Sequence, residues 1–145
     1  MKRERLQELL ACFPDLRVTV IGDLFLDRWY EIDKSMNNPS IETGLTVFHV
    51  VRKRSAAGAA GTVLNNLSEM GIGTLRVVSM VGDDGDGWEM RKRLAEKRVC
   101  TDSVVTDTSI VPPSYIKPQF PEEENRLDIE HLSPTPPAVT DRLTA

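Results

Sequence analysis

Two aspartates, Asp23 and Asp27, follow directly after an apolar run at residues 18–21. In an open α/β sheet, ligands bind beyond the carboxyl ends of the strands, where Asp23 would lie. If residues 23–27 are extended, the two carboxylates face one side about 13 Å apart; if they are helical, the carboxylates lie one turn apart on one face. Either arrangement suits a ligand rich in hydroxyl donors, such as a sugar. The alternative is that Asp23 caps a turn and Asp27 is solvated.

A second candidate segment, residues 55–61, consists almost wholly of alanine and glycine and precedes a predicted helix at 62–70. Small residues allow a ligand to approach the backbone, and the N-terminus of a helix favours anionic or polar groups. The alternative is tight packing of the helix on the sheet. The sequence contains neither the dinucleotide pattern GxGxxG nor a Walker A motif. The segment "VGDDGDG" does not fit an EF-hand, because Trp88 falls where the third calcium ligand would stand.

The elements that would position these residues alternate between apolar strands and amphipathic helices, which is typical of a parallel α/β sheet. Strands are predicted at 17–22, 75–81 and 104–105, and helices at 3–12, 62–70 and 86–97. Three further strands alternate and carry charge, so we expect them outside the parallel sheet, in a small antiparallel layer: 46–53, 114–120 and 126–131. The last two are predicted to form a hairpin around residues 121–125.

Composition limits the class of protein. The 145 residues suffice for one domain, and 40% apolar with 28% charged residues indicates a globular chain. A net charge of -4 argues against non-specific nucleic-acid binding. Cys12 and Cys100 lack CxxC spacing, which argues against a zinc site or a disulfide framework and favours a cytoplasmic location. No apolar run approaches the ~20 residues that span a membrane.

The order and spacing of these segments resemble the ribokinase/PfkB carbohydrate kinases, most closely their heptose 7-phosphate kinase-like branch. "IGDLFLDRW" resembles the opening strand and turn of that family, and "GAAGTVLNNLSEMG" resembles its Gly-Gly-Ala-x-Asn-Val helix start. "VGDDGDG" resembles the third element, and "PSYIKPQF" with "ENRLDIE" the later lid strands. The resemblance covers about residues 17–131.

The resemblance implies a Rossmann-like α/β/α parallel sheet, here partial, with a small antiparallel β lid. It implies transfer of the ATP γ-phosphoryl group to a sugar hydroxyl, with Mg²⁺. Carried onto this chain, it assigns Asp23 and Asp27 to sugar hydroxyls and places Gly58, Ala59 and Thr62 at the sugar site. The second glycine and the asparagine of the family pattern fall at Ala59 and Thr62. The lid strands would lie at about 33–54 and 112–131, and such lids pair between subunits, which implies a homodimer.

The Gly-Ala-Gly-Asp motif, which supplies the catalytic aspartate and the anion hole in that family, does not occur in the sequence. We therefore expect the chain to be the N-terminal, sugar-binding and lid part of such a kinase: a fragment, a truncated product or one part of a split enzyme. The catalytic half and most of the ATP and Mg²⁺ site would be absent, and no catalytic residue is assigned. The substrate would be a sugar or a sugar phosphate. The alternative is a non-catalytic module for sugar binding or dimerisation.

Overall fold

The computed structural model of the chain describes residues 2–120, 128–131 and 134–144. The helices of this part are α1 (Arg3–Ala11), α2 (Ala60–Glu69), α3 (Gly85–Glu96) and α4 (Pro137–Thr144). The strands are β1 (Arg17–Ile21), β2 (Leu24–Ile32), β3 (Asn38–Pro39), β4 (Thr46–Val47), β5 (Val50–Ala59), β6 (Thr74–Gly82), β7 (Val99–Asp107), β8 (Ser114–Gln119) and β9 (Ile129–His131). None of the described helices is long and apolar enough to cross a membrane.

A three-stranded parallel sheet in the order β1-β6-β7 forms the centre of the fold. Val77 of β6 is fully buried, as are Leu64 of α2 and Met90 of α3, so both helices contribute to the core on this sheet. The prediction that strands 17–22 and 75–81 lie parallel in one sheet is confirmed by the register of Val20 against Val77. The predicted fold class, a partial α/β parallel sheet with a small lid, is confirmed.

A second sheet, the lid sheet, has the order β5-β2-β8-β9. Strand β2 pairs antiparallel with β5 and parallel with β8, and β8 pairs antiparallel with β9. The predicted strand 46–53 lies outside the parallel sheet, as expected, and is divided between β4, which pairs with β3, and β5. The turn predicted at 121–125 lies outside the described residues.

Three boundaries differ from the sequence prediction. Residues 24–32 form a nine-residue strand, β2, that was not predicted and that lies inside the lid sheet. The small residues 55–59, for which no strand was predicted, form the end of β5, and α2 begins at Ala60 instead of residue 62. The predicted short strand at 104–105 extends over nine residues as β7. The first two changes place the candidate site at the junction of β2, β5 and α2.

Candidate functional site

Asp27 lies in the middle of β2, on the face of the lid sheet that also carries Phe25 and Trp29. Its Oδ1 accepts a hydrogen bond from Lys117 Nζ at 2.5 Å. Strand β8 brings Lys117 opposite Trp29 in the register of the parallel pair. The side chains of Asp27 and Lys117 are only 18% and 14% exposed, so this ion pair is partly shielded from water. Asp27 is therefore not a freely solvated carboxylate.

Gly58, near the end of β5, makes room for the Asp27 carboxylate. A Cβ atom at Gly58 would lie 2.4 Å from Asp27 Oδ2 and 3.3 Å from the Cβ of Phe25. The register places Gly58 directly opposite Phe25, so its missing side chain faces the same side of the sheet as Asp27. Any larger residue at this position would displace the carboxylate.

Ala59 and Thr62 lie at the start of α2, close to the Asp27 carboxylate. Ala59 is the N-cap residue of α2 and has φ 51° and ψ -118°, a conformation that favours glycine. The N–H of Ala60 donates to the backbone carbonyl of Asp23 at 3.0 Å, which fixes the start of the helix beside the end of β1. Thr62 is exposed in the first turn of α2 and lines a cleft together with Asp27 and Ala56.

Asp23 lies in the break between β1 and β2, and residue 23 is exposed. Since β2 is extended, the extended alternative of the sequence analysis applies to residues 24–27. Asp23 lines a neighbouring cleft together with Phe25, Met80 and Pro113. The structure thus brings Asp27 into contact with Gly58 and into one cleft with Thr62, whereas Asp23 lines a different cleft.

The sequence analysis missed the aromatic residues around the Asp27–Lys117 pair. Lys117 Nζ lies 5.0 Å from the ring centre of Trp29 and 5.4 Å from that of Tyr115. The rings of Phe25 and Tyr115 stack with their centres 5.7 Å apart. The spacing i, i+2 of Tyr115 and Lys117 indicates that they share one face of a strand, but only the pairing of β2 with β8 brings Trp29 to them.

Aromatic faces beside hydrogen-bonding groups suit a sugar ring, because its C–H groups pack on the rings while its hydroxyls reach polar atoms. The Tyr115 hydroxyl is engaged by the Glu130 carboxylate, and this hydrogen bond raises the pKa of Tyr115 above its ordinary value. Within residues 2–120, 128–131 and 134–144, no group of three or more His, Cys, Asp and Glu side chains could hold a metal ion.

Known proteins resemble the chain both in sequence and in structure. No protein-family model matches the chain. In sequence, the chain is 38% identical over 99 residues to the bifunctional protein HldE of Syntrophotalea carbinolica. The matched segment covers 68% of this chain and 20% of that protein. The chain thus spans about a fifth of the length of this curated relative.

In structure, the chain is similar to a fructokinase from Xylella fastidiosa with bound ATP, with a TM-score of 0.55 and 19% identity. That match covers 80% of this chain and 33% of the fructokinase. A ribokinase from Cryptococcus neoformans in complex with ADP gives a TM-score of 0.54 at 17% identity and covers 79% of this chain and 34% of the ribokinase.

The two sheets and the structural matches show that the chain has the fold of ribokinase-type sugar kinases over about a third of the length of those proteins. Within that class, its sequence is similar to the HldE proteins over their matched segment. These findings confirm the resemblance to the ribokinase/PfkB kinases and to their heptose kinase-like branch.

Proposed function

We propose that this chain is the sugar-binding and lid part of an ATP-dependent carbohydrate kinase, and that its substrate is a heptose phosphate. Asp27 accepts hydrogen bonds from sugar hydroxyls in the cleft that it shares with Thr62, Gly58 and Ala59 lie beside it, and Asp23 contributes from the neighbouring cleft. The observation that carries the proposal is the Asp27 carboxylate, which lies against Gly58 beside the start of α2 in a chain similar to HldE.

The chemistry of the Asp27 position supports this role. A carboxylate held by Lys117 keeps its second oxygen, Oδ2, on the side of Gly58, where a ligand hydroxyl can donate to it. Hydrogen bonds to a charged acceptor contribute about 1.5–3 kcal/mol each. The exposed Thr62 hydroxyl offers a further donor and acceptor in the same cleft.

The nucleotide side of the reaction is not assigned to these residues. The described residues offer no carboxylate cluster for Mg²⁺, and the chain lacks the Gly-Ala-Gly-Asp motif that would supply the base and the anion hole. In this proposal ATP and Mg²⁺ are bound by the complete kinase. The alternative of a non-catalytic sugar-binding module shares the same sugar site.

Calorimetric titration of the 145-residue chain tests the sugar site. We expect heptose 7-phosphate to bind more tightly than ribose or fructose. Asp27→Asn should weaken this binding about ten- to a hundredfold, because one charge-assisted hydrogen bond is lost. Glu31→Gln is the matched control, because Glu31 is a carboxylate on the same face of β2 whose partners are Arg52 and Arg54.

Equal affinities of the wild type and Asp27→Asn would remove Asp27 from the sugar site. A separate assay with ATP and Mg²⁺ should yield no sugar phosphate from the 145-residue chain. Product formation that Asp27→Ala abolishes would show that a residue within this chain acts as the base, contrary to the proposal.

We also propose that two copies of the chain pair through their lids. The segment that precedes β5 and the start of β5 expose large apolar side chains: Met36, Ile41, Leu45, Phe48 and Val51. Large exposed apolar side chains concentrated in one segment favour a protein–protein contact.

A further inference from the structure

A cluster of charged side chains connects the lid sheet to helix α3. Arg28 Nη1 and Nη2 donate to the two carboxylate oxygens of Asp86 at 2.9 and 2.6 Å. Arg28 Nη2 also donates to Glu89 Oε2 at 2.9 Å. The Arg28 side chain is only 16% exposed, so its charge depends on these two partners.

A second lid strand contributes to the same cluster. Ser55 of β5 lies opposite Arg28 of β2 in the register of the lid sheet, and its hydroxyl donates to Glu89. Arg93 Nε donates to Ser55 Oγ at 3.0 Å, and Arg93 Nη2 lies 3.6 Å from Glu89 Oε1. Burial would raise the pKa of Glu89, but the hydrogen bonds from Ser55 and Arg28 outweigh it and lower that pKa.

The cluster bears directly on Asp27. Successive side chains of a strand point to opposite faces of the sheet, so Arg28 points to α3 and Asp27 points to the candidate sugar site. A bidentate arginine–carboxylate pair fixes distance and direction together. When Arg28 is held on α3, the rotation of β2 is fixed, and the position of the next carboxylate along the strand is fixed with it.

We propose that Arg28 is a positioning residue, which docks the lid sheet on α3 through Asp86 and Glu89 and thereby sets the position of Asp27 relative to α2. The link between lid docking and sugar binding rests on the proposed function. The docking itself is a property of the chain and can be measured without any sugar.

Hydrogen exchange measured by mass spectrometry tests the docking. Arg28→Gln and Asp86→Asn should each accelerate exchange in the lid strands, residues 27–32 and 114–119, at least tenfold. Strand β6 should exchange as in the wild type. A side chain that served stability alone would accelerate lid and core strands together, so the difference between them is the decisive readout.

Arg91→Gln is the matched control on the same helix. Arg91 donates to the carbonyl oxygens of Thr101 and Val104 and to the hydroxyl of Thr106, which all belong to β7 and not to the lid sheet. We expect this variant to accelerate exchange in β7 and not in the lid strands. Equal exchange of the lid strands in the wild type and Arg28→Gln would overturn the proposal.

Calorimetry with heptose 7-phosphate gives the second readout. Arg28→Gln should weaken binding at least tenfold although Arg28 does not line the cleft of Asp27 and Thr62, and Arg91→Gln should leave the affinity unchanged. If the lid strands exchange faster but the affinity of Arg28→Gln equals that of the wild type, Arg28 does not position Asp27 and the inference is wrong. If the wild type binds no sugar, the proposed function fails, while selective exchange of the lid strands still supports docking by Arg28.

Discussion

At the scale of single residues, Ala59 carries the clearest sign of conformational strain. Its φ of 51° lies in the left-handed region, where a Cβ atom is disfavoured. The residue ends β5 and caps α2, so the chain needs this conformation to bring the start of the helix beside Asp23. The family pattern has glycine at this position, which fits the same backbone without strain.

Ala59→Gly should therefore stabilise the folded chain. Relief of the strain contributes about 1–3 kcal/mol, and the greater freedom of glycine in the unfolded chain costs about 0.4–1 kcal/mol. We expect a net gain of about 1 kcal/mol in the free energy of unfolding, measured by urea denaturation. Ala60→Gly is the control, because the same change one residue later lies within the helix and should destabilise by about 0.5–1 kcal/mol. Equal destabilisation by both changes would contradict the strain argument.

The candidate site shows how far sequence reasoning reaches at this scale. Asp27 was predicted from residue type and spacing and Gly58 from the family resemblance, and the structure puts them in contact. Lys117 was missed because it lies 90 residues from its partner, and no local pattern encodes that distance. Trp29 was missed because its place beside Lys117 depends on the register of two strands that are far apart in sequence.

At the scale of elements, the contact of α2 with β5 explains the run of small residues at 55–61. A Cβ atom at Gly61 would lie 2.4 Å from the Cβ of Ala57, so the first turn of α2 lies almost directly on the strand. The sequence indicated close packing as one alternative for this run. It did not indicate that the run forms a strand, because alanine and glycine have low strand propensity and tertiary pairing overrides that preference.

Gly61→Ala should destabilise the chain by about 1–3 kcal/mol, because the added methyl group overpacks this contact. Combining it with Ala57→Gly should recover part of the loss, since the second change removes the methyl group that clashes. Urea denaturation of the two single variants and the double variant measures the coupling. Gly85→Ala is the control, because a Cβ atom there meets nothing within 4 Å. Additive effects of the two changes would show that the contact is not direct.

Strand β2 marks the other limit of sequence reasoning about elements. Gly22-Asp23 correctly indicated a break after β1, but the charged residues that follow did not indicate a strand. Asp27 and Arg28 are accommodated in β2 because each has a partner from a distant element, Lys117 of β8 and Asp86 of α3. Strands with local apolar patterns, such as β1 and β6, were predicted, although β1 contains no buried residue, whereas a strand stabilised by distant charges was not predicted.

At the scale of the whole molecule, the two sheets meet at the point where the candidate site lies. The chain passes from β1 of the parallel sheet directly to β2 of the lid sheet, and only Gly22 and Asp23 separate these two strands. The parallel sheet, its helices and the first residues of β2, Leu24 and Leu26, supply the core, while the segment that precedes β5 exposes apolar side chains. This division fits a lid that is completed by a second copy of the chain.

The exposed apolar side chains near the lid sheet predict self-association of the chain. We expect the chain to form a dimer in solution, measured by sedimentation equilibrium, and Ile41→Lys to weaken it. Ile41 lies in the segment that precedes β5 and is fully exposed, at 104% of its reference area. Losing the burial of one isoleucine side chain costs about 1.5–3 kcal/mol, which corresponds to roughly a ten- to hundredfold weaker dimer.

Ile21→Lys is the matched control, because Ile21 is 78% exposed at the end of β1, in the parallel sheet and not in the lid. The same change of an exposed isoleucine to lysine should leave the dimer intact there, since the proposed contact involves only lid residues. If Ile21→Lys dissociates the dimer and Ile41→Lys does not, the two copies meet through the parallel sheet. A wild-type chain that sediments as a monomer at all accessible concentrations would exclude the lid contact altogether.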